Sequence, residues 1–137
     1  MDPTGAGKGS DVVDGGGWDE GAPRLGIEQF AGPGYRRCRL IGEIDFTSAG
    51  SVQVTLSAMV LPGRGIVVVD LSRVTFIDSS GLGVLVQAHR IALELDTRLL
   101  VVASPPVRKL LALTALDTVL ETYYELTAAE AAAGGST

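Results

Sequence analysis

Two short runs rich in β-branched apolar residues, at 66–71 and 99–103, constrain the fold of this chain most. Such runs are typical of strands that are covered on both faces of a sheet. Between them, residues 79–95 repeat apolar positions at the spacing of a helix, and these positions are Leu82, Leu85, Val86 and Ala92. The pattern predicts a strand, a crossover helix and a second strand parallel to the first.

Weaker patterns surround this unit. Apolar positions from Leu25 to Phe30 and an alternation over 35–41 predict two paired strands, and residues 47–61 have helical spacing that ends at Pro62. A prolyl helix start at Pro105 and a short apolar run over 119–124 predict a further helix and a last strand. We therefore expect an α/β fold with a mixed sheet of about five strands flanked by helices.

The 137 residues are enough for one compact domain. Residues 1–24 contain seven glycines and five acidic side chains, with little apolar periodicity, and such a segment buries too little to offset its ordering entropy. We predict a disordered tail over 1–24, a domain over 25–128, and an alanine- and glycine-rich C-terminal tail over 129–137.

Charge and cysteine content exclude several classes of protein. The net charge of −5 disfavours a nucleic-acid partner, because phosphate backbones bind basic surfaces. No apolar run approaches the roughly 20 residues of a membrane span, so we expect no membrane contact. The single cysteine, Cys38, forms no internal disulfide, and no secretory signal precedes the domain, so we expect a cytoplasmic protein.

The residues whose side chains are best suited to chemistry or binding lie at the start of the predicted crossover helix. Asp78 has the right position to cap the helix, and Ser79 and Ser80 follow it at the positive end of the helix dipole. A phosphate on Ser79 adds roughly −1.5 to −2 charges, which a helix N-terminus tolerates without melting. The alternative is that these residues form a good cap and nothing more.

Two glycines lie inside the same predicted helix, where glycine is less favourable than other residues. Gly81 and Gly83 each cost about 1 kcal/mol relative to alanine in a helix interior. Close approach of another backbone is one reason for glycine at such positions. The approaching group is either this protein's own sheet or a partner protein, and the sequence leaves both open.

Catalytic and metal-binding alternatives have little support. His89, the one histidine, lies ten residues after Ser79 on the predicted helix, about 15 Å away, so no serine hydrolase triad is available. A second alternative is an acidic metal site formed by Asp45, Asp70 and Asp78, but helix capping and surface solvation account for each of these carboxylates separately. We expect no enzyme activity, no metal and no cofactor.

The stretch from Val69 to Leu85 resembles the sequence typical of STAS domains in bacterial anti-sigma factor antagonists. Two further blocks agree in order, Gly42 to Asp45 before the first helix and Ser104 to Leu111 at the later one. The resemblance covers roughly residues 25–128. It implies a mixed sheet flanked by helices, and it implies that Ser79 occupies the place of the serine that an anti-sigma factor kinase phosphorylates with ATP.

The resemblance also implies partner switching. The unmodified antagonist binds the anti-sigma factor serine kinase, which then releases its sigma factor, and the phosphorylated antagonist dissociates until a phosphatase restores it. We therefore predict phosphorylation of Ser79. The predicted partner-binding residues are Asp45, Asp78, Ser79, Ser80, Gly81, Leu82 and Gly83.

Two residues depart from the pattern that is common in this family. Leu111 and Ala115 stand where the family commonly has phenylalanine and glycine, and we expect them to alter packing more than the switch.

The alternative function is a STAS interaction or scaffold module that is not phosphorylated, in a sensor or transporter-associated complex. Such a module needs no kinase.

Overall fold

The computed structural model describes residues 24–62 and 65–134. Its elements are β1 (Leu25–Gly32), β2 (Tyr35–Ile44), α1 (Ala49–Met59), β3 (Ile66–Ile77), α2 (Ser79–Glu94), β4 (Leu99–Ala103), α3 (Pro105–Leu113), a 3₁₀ turn (Leu116–Thr118), β5 (Glu121–Tyr123) and α4 (Leu126–Gly134). The predicted α/β fold, with a five-stranded mixed sheet flanked by helices, is confirmed. The predicted disordered tail over 1–24 lies outside the described residues except for Arg24.

The five strands lie side by side in chain order. β1 and β2 form an antiparallel hairpin, whereas β2, β3, β4 and β5 are all parallel to their neighbours. Parallel strands place their carboxyl ends at one edge of the sheet, and ligands of open α/β sheets commonly bind there. The connections that leave β2 and β3 therefore begin at the same edge.

The sheet has a core on each face. Helices α1, α2 and α3 cover one face with the larger core, which includes Leu40, Leu71, Leu85 and Leu111. Helix α4 covers part of the opposite face. Strand β3 is completely buried from Val67 to Leu71, because this part lies between the two helical layers.

Helix α4 corrects the predicted domain boundary after residue 128. The helix crosses that boundary, and its Ala129 and Ala133 are buried against Val68, Leu100 and Val102 of the sheet. Residues 129–134 therefore pack with the domain and do not form a separate tail. Alanine allows this close approach of helix to sheet, although it gives little apolar contrast in the sequence.

Three element predictions also need correction. β3 continues to Ile77 instead of ending at Leu71, and the last strand is only three residues long because the 3₁₀ turn precedes it. On α2, Val86 is half-buried, and Val84 and Ala88 are buried. The apolar stripe of α2 is thus broader than the predicted one.

A buried carboxylate lies in the middle of β3. Asp70 is fully buried, and its Oδ1 accepts hydrogen bonds from the backbone N–H and the hydroxyl of Ser72 at 3.0 and 2.6 Å. Its Oδ2 accepts a hydrogen bond from Arg39 Nε at 3.3 Å and lies 3.5 Å from Arg37 Nη1. The Phe30 ring lies over the Arg37 guanidinium at 4.2 Å. A buried charge is tolerated when it is paired and hydrogen-bonded in this way.

The single cysteine is part of the larger core. Cys38 is fully buried in β2, and burial raises the pKa of its thiol to about 11. The thiolate is the reactive form of cysteine, so this thiol is unreactive in the folded protein.

Ala115 occupies an unfavourable backbone conformation directly after α3. Its φ of 60° lies in the left-handed region, which costs an L-residue about 1–2 kcal/mol and which glycine adopts freely. The expectation that Ala115 alters packing is wrong, because the residue is exposed and the cost lies in the backbone. Leu111, by contrast, is fully buried in the core.

We predict that Ala115→Gly stabilises the protein by about 0.5–1 kcal/mol. Relief of the left-handed backbone strain exceeds the extra entropy that glycine gives the unfolded chain. Urea unfolding followed by circular dichroism measures the change. Ala112→Gly, at an exposed helical position nearby, is the matched control and should destabilise by about 0.5–1 kcal/mol. A loss of stability in Ala115→Gly would contradict the strain argument.

Candidate functional site

The start of α2 is built on the end of β3 with one residue between them. Asp78 is the N-cap, with an extended backbone, and its Oδ1 accepts hydrogen bonds from the N–H groups of Ser80 at 2.9 Å and Gly81 at 3.2 Å. An aspartate at this position satisfies amides that have no partner inside the helix. The cap fixes where the following side chains stand.

Ser79 is the first residue of α2 and is exposed, whereas Ser80 is half-buried. The hydroxyl of Ser79 therefore stands at the positive end of a 16-residue helix and is accessible to a second protein. An added anionic group at this position meets a favourable helix dipole and requires no rearrangement of the core.

The end of β2 lies directly beside this cap. The N–H of Asp78 donates to the carbonyl of Ile44 at 3.1 Å, and Ile44 pairs with Ile77 in the sheet register. Neighbouring strands are about 4.8 Å apart, so Asp45 and Ser79 begin adjacent connections at one sheet edge. The structure brings together the predicted residues Asp45, Asp78, Ser79 and Ser80.

Asp45 organises the connection to α1. Its Oδ1 accepts hydrogen bonds from the N–H of Thr47 at 2.9 Å and from the Thr47 hydroxyl at 2.5 Å. The hydroxyl bond holds the pKa of the Asp45 carboxyl below its ordinary value. The Asp45 N–H in turn donates to the Ser48 hydroxyl at 3.1 Å. Asp45 thus has a local structural role at the edge of the site.

The structure does not bring Asp70 to this edge. Asp70 is buried among Arg37, Arg39 and Ser72, eight residues before Asp78 on β3. Within residues 24–62 and 65–134, no three histidine, cysteine, aspartate or glutamate side chains are grouped to hold a metal. His89 lies on α2 ten residues after Ser79, about 15 Å along the helix axis.

The two glycines of α2 have different surroundings. A β-carbon at Gly81 lies 2.7 Å from the Ile77 side chain and 2.8 Å from that of Ile44, so glycine is required by the protein's own strand ends. A β-carbon at Gly83 meets no atom within 4 Å among the described residues beyond its own helix, and Gly83 is exposed. Internal packing explains Gly81 and leaves Gly83 open to a neighbour from outside.

Leu82 corrects the predicted set of partner-binding residues. Its side chain is 5% exposed and belongs to the larger core. Ser79 and Gly83, four residues apart, are both exposed on α2, whereas the side chain of Leu82 packs against the sheet. Gly81 is also buried, so neither residue offers a side-chain surface to a partner.

The sequence reasoning did not identify two exposed phenylalanines beside this site. Phe46 follows Asp45 and is 77% exposed, and Phe76 precedes Asp78 by two residues and is 48% exposed. The strand pattern hides Phe76, because register shifts between β2 and β3 break the two-residue alternation and direct Val74 and Ile77 to the core. A usable signal for Phe46 is the lack of charged residues from 46 to 62.

None of the described helices is long and apolar enough to cross a membrane.

Comparison with known proteins places this geometry in a family. Residues 33–129 match the profile of the STAS domain. No match is found among curated protein sequences. An anti-sigma factor antagonist from Mycobacterium paratuberculosis is 27% identical with a TM-score of 0.71, over 82% of this chain and 97% of that chain.

Two further solved structures share the fold. SpoIIAA of Bacillus in its phosphorylated form is 22% identical with a TM-score of 0.59, over 79% of this chain and 98% of that chain. A sulfate transporter family protein from Wolinella succinogenes is 20% identical with a TM-score of 0.64, over 73% of this chain and 84% of that chain. At these identities the likeness concerns the fold alone.

We predict opposite stability effects for alanine at the two glycines of α2. Gly83→Ala should stabilise the protein by about 0.5–1 kcal/mol, because its methyl group enters open space and alanine favours the helix. Gly81→Ala should destabilise it by about 1–2 kcal/mol, because the methyl group collides with Ile77 and Ile44. Urea unfolding of the two variants measures both effects. Equal shifts in the two variants would contradict the assigned roles.

Proposed function

We propose, from the premise that this chain belongs to the STAS domain family, that it is an anti-sigma factor antagonist controlled by phosphorylation of Ser79. In its unmodified form it binds an anti-sigma factor serine kinase, which then releases a sigma factor. The Ser79 hydroxyl oxygen loses its proton and forms a bond to the γ-phosphorus of ATP, while the bond from that phosphorus to the bridging oxygen breaks and ADP leaves. The phosphorylated chain then dissociates from the kinase. A phosphatase returns the serine by hydrolysis.

The observation that carries this proposal is the exposed hydroxyl of Ser79 directly after the capping Asp78. A kinase substrate needs an accessible hydroxyl, and a reversible switch needs a fold that survives the modification. The M. paratuberculosis protein, named as an anti-sigma factor antagonist, supports the proposed function, and SpoIIAA in its phosphorylated form has the same fold.

The helix start explains why the switch acts on binding and not on folding. The dipole of α2 favours a negative group at Ser79, so the phosphorylated domain stays folded. A partner surface shaped for a neutral hydroxyl rejects the phosphate by bulk and by the cost of desolvating its charge. A loss of about 3 kcal/mol in binding free energy weakens the complex by more than a hundredfold.

The neighbouring residues have supporting roles in this proposal. Asp78 orients the serine through its two amide hydrogen bonds, and Ser80 and Asp45 border the contact surface. Gly83 allows the partner backbone to approach α2 closely, since no atom of the described residues beyond its own helix fills the space above it. The chain is thus a ligand and a substrate, and a cytoplasmic address follows from a role in transcription.

We predict that one phosphoryl group is added to the full chain by a cognate anti-sigma factor kinase with Mg-ATP. The kinases encoded in the source genome are tested one by one, and intact-mass spectrometry counts the phosphoryl groups. Ser79→Ala should abolish the modification and keep the circular dichroism spectrum, whereas the matched Ser80→Ala variant should still be modified. Titration calorimetry should show at least hundredfold weaker kinase binding by the phosphorylated chain.

The contrary outcomes are distinct. Phosphate that persists in Ser79→Ala disproves the assignment of the serine. If no kinase binds or modifies the chain, and if its assembly with other proteins is indifferent to Ser79→Asp, the chain is a STAS interaction or scaffold module.

A further inference from the structure

Strand β1 forms one edge of the sheet, and among residues 24–62 and 65–134 it pairs with β2 alone. The strand is eight residues long and keeps one register with β2 from Leu25 to Gly32, without a bulge. The strand at the other edge, β5, has only three residues. A long and regular edge strand is a template for a further strand, whereas a very short one is not.

The hydrogen bonds of the hairpin show which backbone groups of β1 face outwards. The carbonyl of Arg24 accepts a hydrogen bond from the N–H of Glu43 at 2.9 Å, so the backbone at this position points towards β2. In an antiparallel pair, successive residues direct their backbone groups to opposite sides of the strand. The N–H and C=O groups of residues 25, 27, 29 and 31 therefore point away from β2.

Strand β1 lacks the features that commonly protect an edge strand. Lysine, proline and bulges prevent pairing with another chain. The strand sequence, LGIEQFAG, contains no lysine and no proline, and its one charged residue, Glu28, lies 3.7 Å from Arg39 of β2. Phe30, on the same face of the sheet as Glu28, is 40% exposed. The edge can therefore accept a further strand, which would also cover part of this ring.

The strand is complementary to itself in one antiparallel register. When Gln29 lies opposite Gln29 of a second copy, the outward groups of Ile27 meet those of Ala31, and about six backbone hydrogen bonds form. In this register, Glu28 lies opposite Phe30 of the second copy. A shift that places Glu28 opposite itself brings two carboxylates together, and like charges directly opposite each other are destabilising.

We propose that β1 binds β1 of a second copy of this chain in the antiparallel register centred on Gln29, so that two five-stranded sheets become continuous. The two Phe30 rings then lie diagonally across the join, within reach of each other. An interface of one strand on each side is small, below about 1,200 Å², so we expect a reversible dimer with a Kd of roughly 1–100 µM.

This inference goes beyond the proposed function and does not depend on it. Strand β2 separates β1 from β3, and Ser79 follows the end of β3. Pairing at the outer side of β1 therefore uses a different surface from the one that exposes the Ser79 hydroxyl.

Sedimentation equilibrium of the full chain over roughly 1–500 µM measures the dimer. Gln29→Lys and Gln29→Glu should each weaken it about fivefold, because the register places the new charge opposite its own copy. An equimolar mixture of these two variants should form a heterodimer at least as tight as the wild-type dimer. The matched control is Gln87→Lys, which makes the same charge change at an exposed position on α2 and should dimerise like the wild type.

A cross-link provides the second measurement. Residues that lie opposite each other in a hydrogen-bonded pair have Cα atoms about 5.5 Å apart, a distance that a disulfide spans. Mild oxidation of Gln29→Cys should therefore give a covalent dimer. Ala31→Cys should not, because the two copies of residue 31 lie about 14 Å apart in this register. The native Cys38 is buried and does not compete. Circular dichroism and urea unfolding check that every variant is folded.

The outcomes separate this inference from the proposed function. A monomer over the whole concentration range overturns the inference and leaves the edge to residues 1–23 or to another protein. A dimer that is indifferent to both charged variants, or a mixture that restores no dimer, also overturns it, because the contact then lies elsewhere or in another register. If the chain dimerises as expected and no kinase binds it, the inference stands and the proposed function fails.

Discussion

The structure depends on the burial of strand β3 between two helical layers. From Val67 to Leu71 the strand has no solvent exposure, because β2 and β4 pair with it on either side and helices cover both faces of the sheet. The sheet then places the ends of β2 and β3 at one edge. Every residue of the candidate site lies on a connection that begins at that edge.

The carboxylates in the middle of the sheet and at the strand ends have different surroundings. Asp70, in the buried part of β3, is hydrogen-bonded to Arg39 and Ser72 and ion-paired with Arg37, and its contribution is structural. Asp45 and Asp78, at the strand ends, are occupied by nearby amides and hydroxyls and shape the starts of α1 and α2. The Ser79 hydroxyl, by contrast, belongs to an exposed residue at the start of α2, and our proposal assigns the intermolecular chemistry to it.

Much of the fold could be predicted from the sequence, because β-branched runs, helical periodicity and a prolyl helix start are local signals. The five-stranded mixed sheet and the crossover helix are confirmed on that basis. The packing of helix α4 could not be predicted, because its alanines give no clear apolar stripe and are buried by contact with Val68, Leu100 and Val102 of the sheet. The extension of β3 to Ile77 was hidden for a similar reason, since register shifts replace the regular alternation.

The candidate site was predictable in position and less so in composition. A capping aspartate before two serines points to the start of α2, and the resemblance to a known family gives Ser79 its predicted role. The division between Gly81 and Gly83 depends on where Ile44 and Ile77 stand in space, which no local pattern contains. The burial of Leu82 and the exposure of Phe46 likewise arise from tertiary packing.

The position of Cys38 determines how its thiol reacts in the native protein. A thiol in a sealed core, with a pKa near 11, offers almost no thiolate to peroxide or to glutathione. Oxidants therefore reach this thiol only when the core around it opens. Reaction of Cys38 with a thiol reagent therefore measures opening of the core around β2.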